Sequence, residues 1–168
     1  ETGSFTPDSV ADWYDSQTLG LTNSTVYWKN IADKPGTSEY ARERSGKNDQ
    51  MHIIIVDDKG DITGVAGQIL EKNLFLSKGK DTRDQNTITY YKDYLALNSA
   101  YLYAGKSLGT AADTTQHIYP ASSGFEAGTF TEVGLSDGDF GQEVQGITFN
   151  SIGSINLSLS GGKDYSTA

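Results

Sequence analysis

The sequence predicts an α+β domain: a mixed, mainly antiparallel β-sheet or sandwich with short flanking helices, the sandwich being the preferred form. Three observations carry this. Ile53-Ile54-Ile55-Val56 is an unbroken run of β-formers, stiff at χ1 and suited to a pleated surface, at the head of the stretch 51–77. Tyr90, Tyr91, Tyr94, Leu95 and Leu97 recur at helical spacing. Ile147, Phe149, Ile152, Ile155, Leu157 and Leu159 alternate in part with Ser and Asn, the mark of a half-exposed strand.

The first run reads as a strand buried on both faces. Asp57-Asp58-Lys59-Gly60-Asp61 supplies turn residues, and a second run returns through Ile62, Val65, Ile69 and Leu70. Together they form an antiparallel hairpin over 51–70, around which the rest of the chain is expected to pack. Gly64 and Gly67 predict a bulge in the return strand. Replacing Ile54 by Asp is expected to prevent folding, since a buried unpaired charge is costly.

Short helices are expected near 9–18, 37–45 and 89–98. The first is capped by Asp8 or Ser9 and runs through Val10, Trp13 and Tyr14. The second follows the Lys34-Pro35-Gly36 turn and stops at Gly46. Residues 1–8 read as a tail or incoming linker, and 9–168 as a single domain. Ala100-Tyr101-Leu102-Tyr103-Ala104 is the strand that the third helix feeds, and 77–86 is a polar loop. No internal repeat is evident.

Composition narrows the function. The 168 residues suffice for one domain with a core. The formal charge of −9 argues against nucleic acid as a direct partner, because phosphates call for clustered Lys and Arg. A mean hydropathy of −0.48 is polar for this size, so part of the apolar packing is expected to come from outside the chain. Residues 85–168 hold only Lys92, Lys106 and Lys163 against eight acids, read as a solvated acidic face before an electrostatic docking surface. There is no cysteine, hence no disulfide or thiolate chemistry, which suits assembly in a reducing cytosol. No apolar run has the length of a membrane span and no signal peptide is seen. The chain starts Glu1-Thr2-Gly3, as a processed product, an excised fragment or a chain carrying vector residues would. The sequons at Asn23 and Asn156 read as chance matches.

No catalytic, cofactor-binding or metal-ligating residue is assigned. Gly134-Leu135-Ser136-Asp137-Gly138 matches G-x-S-x-G, but Asp139-Phe140-Gly141 is a poor helix start, and only His52 and His117 are available as bases. Ala104-Gly105-Lys106-Ser107 ends like a phosphate loop, yet Ala100 stands where its first glycine belongs. Asp57, Asp58 and Asp61 fail the EF-hand register. The bunched Tyr90, Tyr91, Tyr94, Tyr101 and Tyr103 read as amphipathic residues at the edge of a core before they read as a ligand platform.

One resemblance runs through these segments. It begins with Asp12-Trp13-Tyr14-Asp15, Val26-Tyr27-Trp28 and Ile31-Ala32-Asp33-Lys34-Pro35-Gly36-Thr37-Ser38. The stretch from His52 through Asp57, Asp58 and Gly60 to Gly64 follows, then Ile69-Leu70-Glu71-Lys72, Leu76-Ser77-Lys78, Tyr90-Tyr91-Lys92-Asp93 and Asn98-Ser99. It closes with Leu159-Ser160-Gly161-Gly162-Lys163-Asp164. In order and number these pieces resemble the tail sheath protein of T4-like contractile-tailed bacteriophages. They cover most of 9–105 and return at 155–164, with little in 106–150. Sheath proteins are longer than this chain, so the resemblance implies an internal fragment of the subunit, lacking the terminal arms that hook neighbours together. It implies a structural, non-enzymatic role without cofactor or metal. Such subunits pack around the tail tube protein and against neighbouring sheath subunits, are assembled in the host cytoplasm, and rearrange on contraction of the virion tail. The alternative is a carbohydrate- or host-binding module of a phage tail or secreted protein, suggested by the tyrosines and acidic loops. A weaker third reading is a serine hydrolase using Ser136.

Residues 106–146 hold Lys106 against six acids and carry seven of the 19 glycines. They are expected to form surface loops and edge structure with no compact core of their own. Amides at 53–56 and 69–70 are expected to exchange slowest, and most of 106–128 quickly.

Overall fold

The computed structural model describes residues 12–102, 140–150, 153, 154, 156 and 158, together with the backbone of 116–117 and 131–132. The α+β class holds: two-stranded antiparallel ladders stand among short helices. The largest is a ribbon of β1 (Gln50–Asp57) and β2 (Gln68–Ser77). Small antiparallel pairs join β3 (Arg83–Asp84) to β4 (Thr87–Ile88), and β5 (Gln116–His117) to β6 (Thr131–Glu132). Because the described ladders hold two strands each, they do not make the expected face-to-face sandwich.

The hairpin differs from its sequence reading in three ways. Its connection is the ten residues 58–67, so Ile62 and Val65 belong to a loop, 69% and 56% exposed, and not to the return strand. Ladder irregularities fall between Met51 and Ile53 and between Ile55 and Val56, while Gly64 and Gly67, both at φ +81°, serve the loop. The run 53–56 is half-buried rather than covered on both faces. The physical reason is how little covers the run: of its four residues only Ile53 packs against a described core cluster. Ile54→Asp is therefore expected to weaken the fold without abolishing it, read as a lowered denaturation midpoint with a retained cooperative transition.

Helix α1 (Glu39–Glu43) begins where Ser38 caps it: the Ser38 hydroxyl accepts from the amide of Ala41 at 3.2 Å. It ends at Arg44, and Ser45 then turns through φ +59°. Helix α2 (Tyr91–Asn98) buries Tyr91 and Leu95, four residues apart on one face. Leu97 falls on the other face and is 73% exposed. Of the expected helix near 9–18, the described part is a 3₁₀ turn at Trp13–Ser16, capped by the Asp12 carboxylate. A second 3₁₀ turn, Trp28–Asn30, follows an antiparallel bridge between Thr18 and Tyr27. Residues 100–102 form no strand, and 103–104 lie outside the described residues.

Among the described residues two apolar clusters form core. One gathers Leu76, Tyr90, Tyr91, Leu95 and Phe140, with Met51, Ile53, Ile88, Tyr94 and Leu102 packed around it. Tyr90 and Tyr91 are thus buried core residues, their rings edge-to-face at 5.1 Å. The other cluster is Ala41, Val144 and Phe149, flanked by Tyr40 and Ile147. Phe140 and Val144 correct the expectation for the end of 106–146: each is buried in one of the two clusters, while Glu143, Gln145 and Gly146 stay exposed.

Backbone hydrogen bonds fasten this segment in register. Gly141 N donates to Lys78 O at 2.8 Å, Lys80 N to Gln142 O at 3.0 Å, and Gly146 N to Arg44 O at 2.9 Å. Lys47 and Thr148 form a parallel bridge, which is all that the described residues show of the strand expected from 147 onward. A Cβ at Gly46 would stand 2.5 Å from the Val144 carbonyl. Gly46→Ala is therefore expected to lift the 140–150 segment and lower stability by about 1–3 kcal/mol, as overpacking does, measured by urea denaturation.

Candidate functional site

Among the described residues, polar side chains gather at three places. Asp49, the residue before β1, is fully buried. Its Oδ1 accepts from the Ser38 amide at 2.8 Å, and its Oδ2 from the hydroxyls of Ser38 (2.8 Å) and Ser77 (2.7 Å). The Ser77 hydroxyl also accepts from the Gly79 amide at 3.0 Å and lies 2.8 Å from the Thr82 hydroxyl. Asp49's own carbonyl takes the amide of Lys78 at 2.7 Å. One carboxylate thereby ties the cap of α1, the end of β2 and the 77–82 turn together.

Lys78 is the companion charge, 3% exposed. Its Nζ donates to the carbonyls of Asn48 (3.0 Å) and Asn150 (2.9 Å) and lies 5.2 Å from the centre of the Phe140 ring. Burial pulls its pKa down to about 8, with the Asp49 carboxylate pulling the other way. A lysine that sheds its proton so readily is a nucleophile in other settings. Here both carbonyls hold the amine inside the fold, and the arrangement acts as a clamp on 140–150.

The second place is the loop after β1. Asp57, 5% exposed, accepts from the amides of Gly60 (3.1 Å), Ile62 (3.0 Å) and Thr63 (2.7 Å) and from the Thr63 hydroxyl (2.9 Å). Burial pushes its carboxyl pKa up, but the donors of Thr63, Ile62 and Gly60 outweigh that and hold it below the ordinary value. Asp58 likewise accepts from the amide and hydroxyl of Thr22. These carboxylates are occupied by the chain's own donors. Among the described residues no three His, Cys, Asp or Glu side chains gather as a metal site. Asp57→Asn is expected to speed amide exchange at Ile62 and Thr63. Because the folded carboxyl is the stronger acid, its contribution is present above the ordinary pKa of 3.8 and is lost as pH falls below it.

The third place is His52, whose two ring nitrogens face the backbone of Phe75 and Asp33 at 2.9 Å and 2.7 Å. It is not free to serve as a general base. Ser136 and the phosphate-loop-like residues 104–107 lie outside the described residues, and of His117 only the backbone is described. The exposed rings of Trp13 and Tyr27 each carry a lysine, Lys34 at 5.3 Å and Lys29 at 5.5 Å from the ring centres. A shallow open groove of about 500 Å³ runs along Gly67 to Lys72. The Glu71 carboxylate in it is engaged by Asn73, Ser99 and Ala100.

Sequence reasoning missed Asp49 and Lys78 as organising residues. Both lie in stretches that read as polar connections, and only their partners at 38, 77 and 150, distant in the chain, reveal them. Comparison of the chain with protein-family models, with curated proteins and with solved structures finds no match.

Proposed function

We propose that the chain is a structural, non-enzymatic portion of a contractile phage tail sheath subunit, a rigid body that packs around the tail tube protein and against neighbouring subunits in the virion and shifts its packing on contraction. The observation that carries this reading is the ordered set of sequence pieces resembling that family. Their positions in the fold support it. Asp12 caps a turn and pairs with Lys34 at 2.8 Å, and Trp28 donates to Ser154 at 3.0 Å. Ser38, Ser77 and Lys78 meet around Asp49, Asp57 closes its loop, and Tyr90 lies in the core. Through their side chains these residues tie turns, a helix cap and the ribbon to one another, as the residues of a rigid packing unit would.

A sheath works as a switch between two packings of rigid domains. Rigidity within each domain lets strain pass to the contacts between domains, and the buried clamp at Asp49 and Lys78 supplies it here. The test is electron microscopy of the longer sheath polypeptide that contains this chain. Tubular assemblies are expected; dispersed monomers alone would contradict the reading. In parallel, hydrolysis of a generic ester that is lost on Ser136→Ala would favour a hydrolase, and saturable glycan binding lost on tyrosine substitution would favour a binding module.

A further inference from the structure

His52 sits where the ribbon slips register. Met51 pairs with Leu76 and Ile53 with Asn73, so the residue between them faces Leu74 and Phe75. Its ring is stacked on Trp28, with centroids 6.1 Å apart and planes at 30°, and meets Phe75 edge-on at 4.5 Å. The amide of Phe75 can only donate, so Nδ1 accepts from it; the carbonyl of Asp33 can only accept, so Nε2 carries the hydrogen. Only the neutral imidazole satisfies both. Phe75 is held at φ +55°, the left-handed region that a bulky side chain occupies at a cost, and the residue is 39% exposed.

We propose that His52 is a pH-operated latch: the neutral ring holds the left-handed Phe75 and the 28–33 turn onto the ribbon, and protonation releases Phe75. Adding a proton to Nδ1 sets one N–H against another. The Phe75 amide loses its acceptor and the backbone is free to leave φ +55°. The bond from Nε2 to Asp33 survives, so the release is one-sided: the 28–33 turn stays and the Phe75 ring swings toward solvent.

Of the charged side chains on the neighbouring segments, Lys29 lies over Tyr27, Lys34 lies over Trp13 and against Asp12, and the Asp33 carboxylate disfavours ionisation of Tyr14. On β2, Lys72 belongs to the pair with Ile54, beyond the slip. Burial holds the imidazole below its ordinary pKa of 6.5, with the carbonyls of Asp33 and Met51 pulling the other way. The folded state thus takes up the proton less readily than the unfolded chain. The contribution of the latch is whole above pH 6.5 and is lost as pH falls through the lowered folded value.

The test is ¹H–¹⁵N NMR of the full chain between pH 7.5 and pH 5, with amide exchange corrected for its intrinsic pH dependence. The expected result is that the Phe75 amide titrates with the His52 ring at a common midpoint below 6.5. Its protection should fall about tenfold, the equilibrium factor of one hydrogen bond at the upper end of its usual net worth, while the amides of Ser38 and Lys78 keep theirs. In His52→Gln, whose side-chain oxygen accepts at every pH, the change at Phe75 should vanish. If that variant does not fold, the titration of the unaltered chain decides by itself. Unchanged protection at Phe75 as His52 titrates, or a loss shared equally with Ser38 and Lys78, would overturn the proposal.

Discussion

Asp49→Ala is expected to cost about 3–5 kcal/mol, the loss typical of removing one member of a buried charged network. The substitution leaves the amide and hydroxyl of Ser38 and the hydroxyl of Ser77 facing a void. It also leaves the buried Lys78 cation without the carboxylate that favours its charge. Each orphaned donor carries its own desolvation cost. A domain of this size has on the order of 5–15 kcal/mol of stability in total, so the variant should stand close to its unfolding threshold at 25 °C. Asp49→Asn should cost less, because its remaining side-chain oxygen still accepts. Urea denaturation with far-UV and tryptophan signals ranks the three proteins.

Lys78→Met is expected to be the second most damaging change, by about 2–3 kcal/mol, since the carbonyls of Asn48 and Asn150 lose their shared donor. Its cost should depend on pH. The folded amine has its pKa pulled down to about 8 from an ordinary 10.5, so between these values the folded state binds fewer protons than the unfolded one. Stability of the unaltered chain then rises with pH across that window. The gap between the two proteins should therefore widen by on the order of 1–2 kcal/mol from pH 8 to pH 10. Tyr90, pushed up to about 12, and Tyr91, pushed up as well, act oppositely: their contribution is lost as pH rises above 10, in both proteins alike. A gap that stays constant from pH 8 to pH 10 would mean that the Lys78 charge is not penalised by burial.

What could be read from the chain was whatever depends on near neighbours. Ser38 announced the start of α1, and the four-residue spacing of Tyr91 and Leu95 announced α2. The run 53–56 announced a strand. Ile62 and Val65 misled, because their apolar character suggested a return strand. The Asp57 carboxylate instead gathers the amides of Gly60, Ile62 and Thr63 and keeps that stretch in a loop. Asp49 and Lys78 were illegible for a different reason. Acidic and basic residues beside a strand are usually solvated, and burial here depends on partners that the fold brings from 38, 77 and 150. The 140–150 segment was obscured likewise: its three core residues are scattered among glycines and acids, and only docking on the 46–49 and 77–82 backbone makes them a core.

The central claim is that the fold is organised at the buried Asp49 junction and not in the apolar run of the ribbon. Native-state amide exchange of the whole chain tests it most directly. The amides that converge on the junction are those of Ser38, Ser77, Lys78 and Phe149, bonded to Asp49, Thr89, Asp49 and Lys47. They should be among the slowest to exchange, at least as protected as 53–56, and should lose that protection together in Asp49→Ala. Slowest exchange confined to 53–56 and 69–70, with rapid exchange at Ser38, Lys78 and Phe149, would contradict the account.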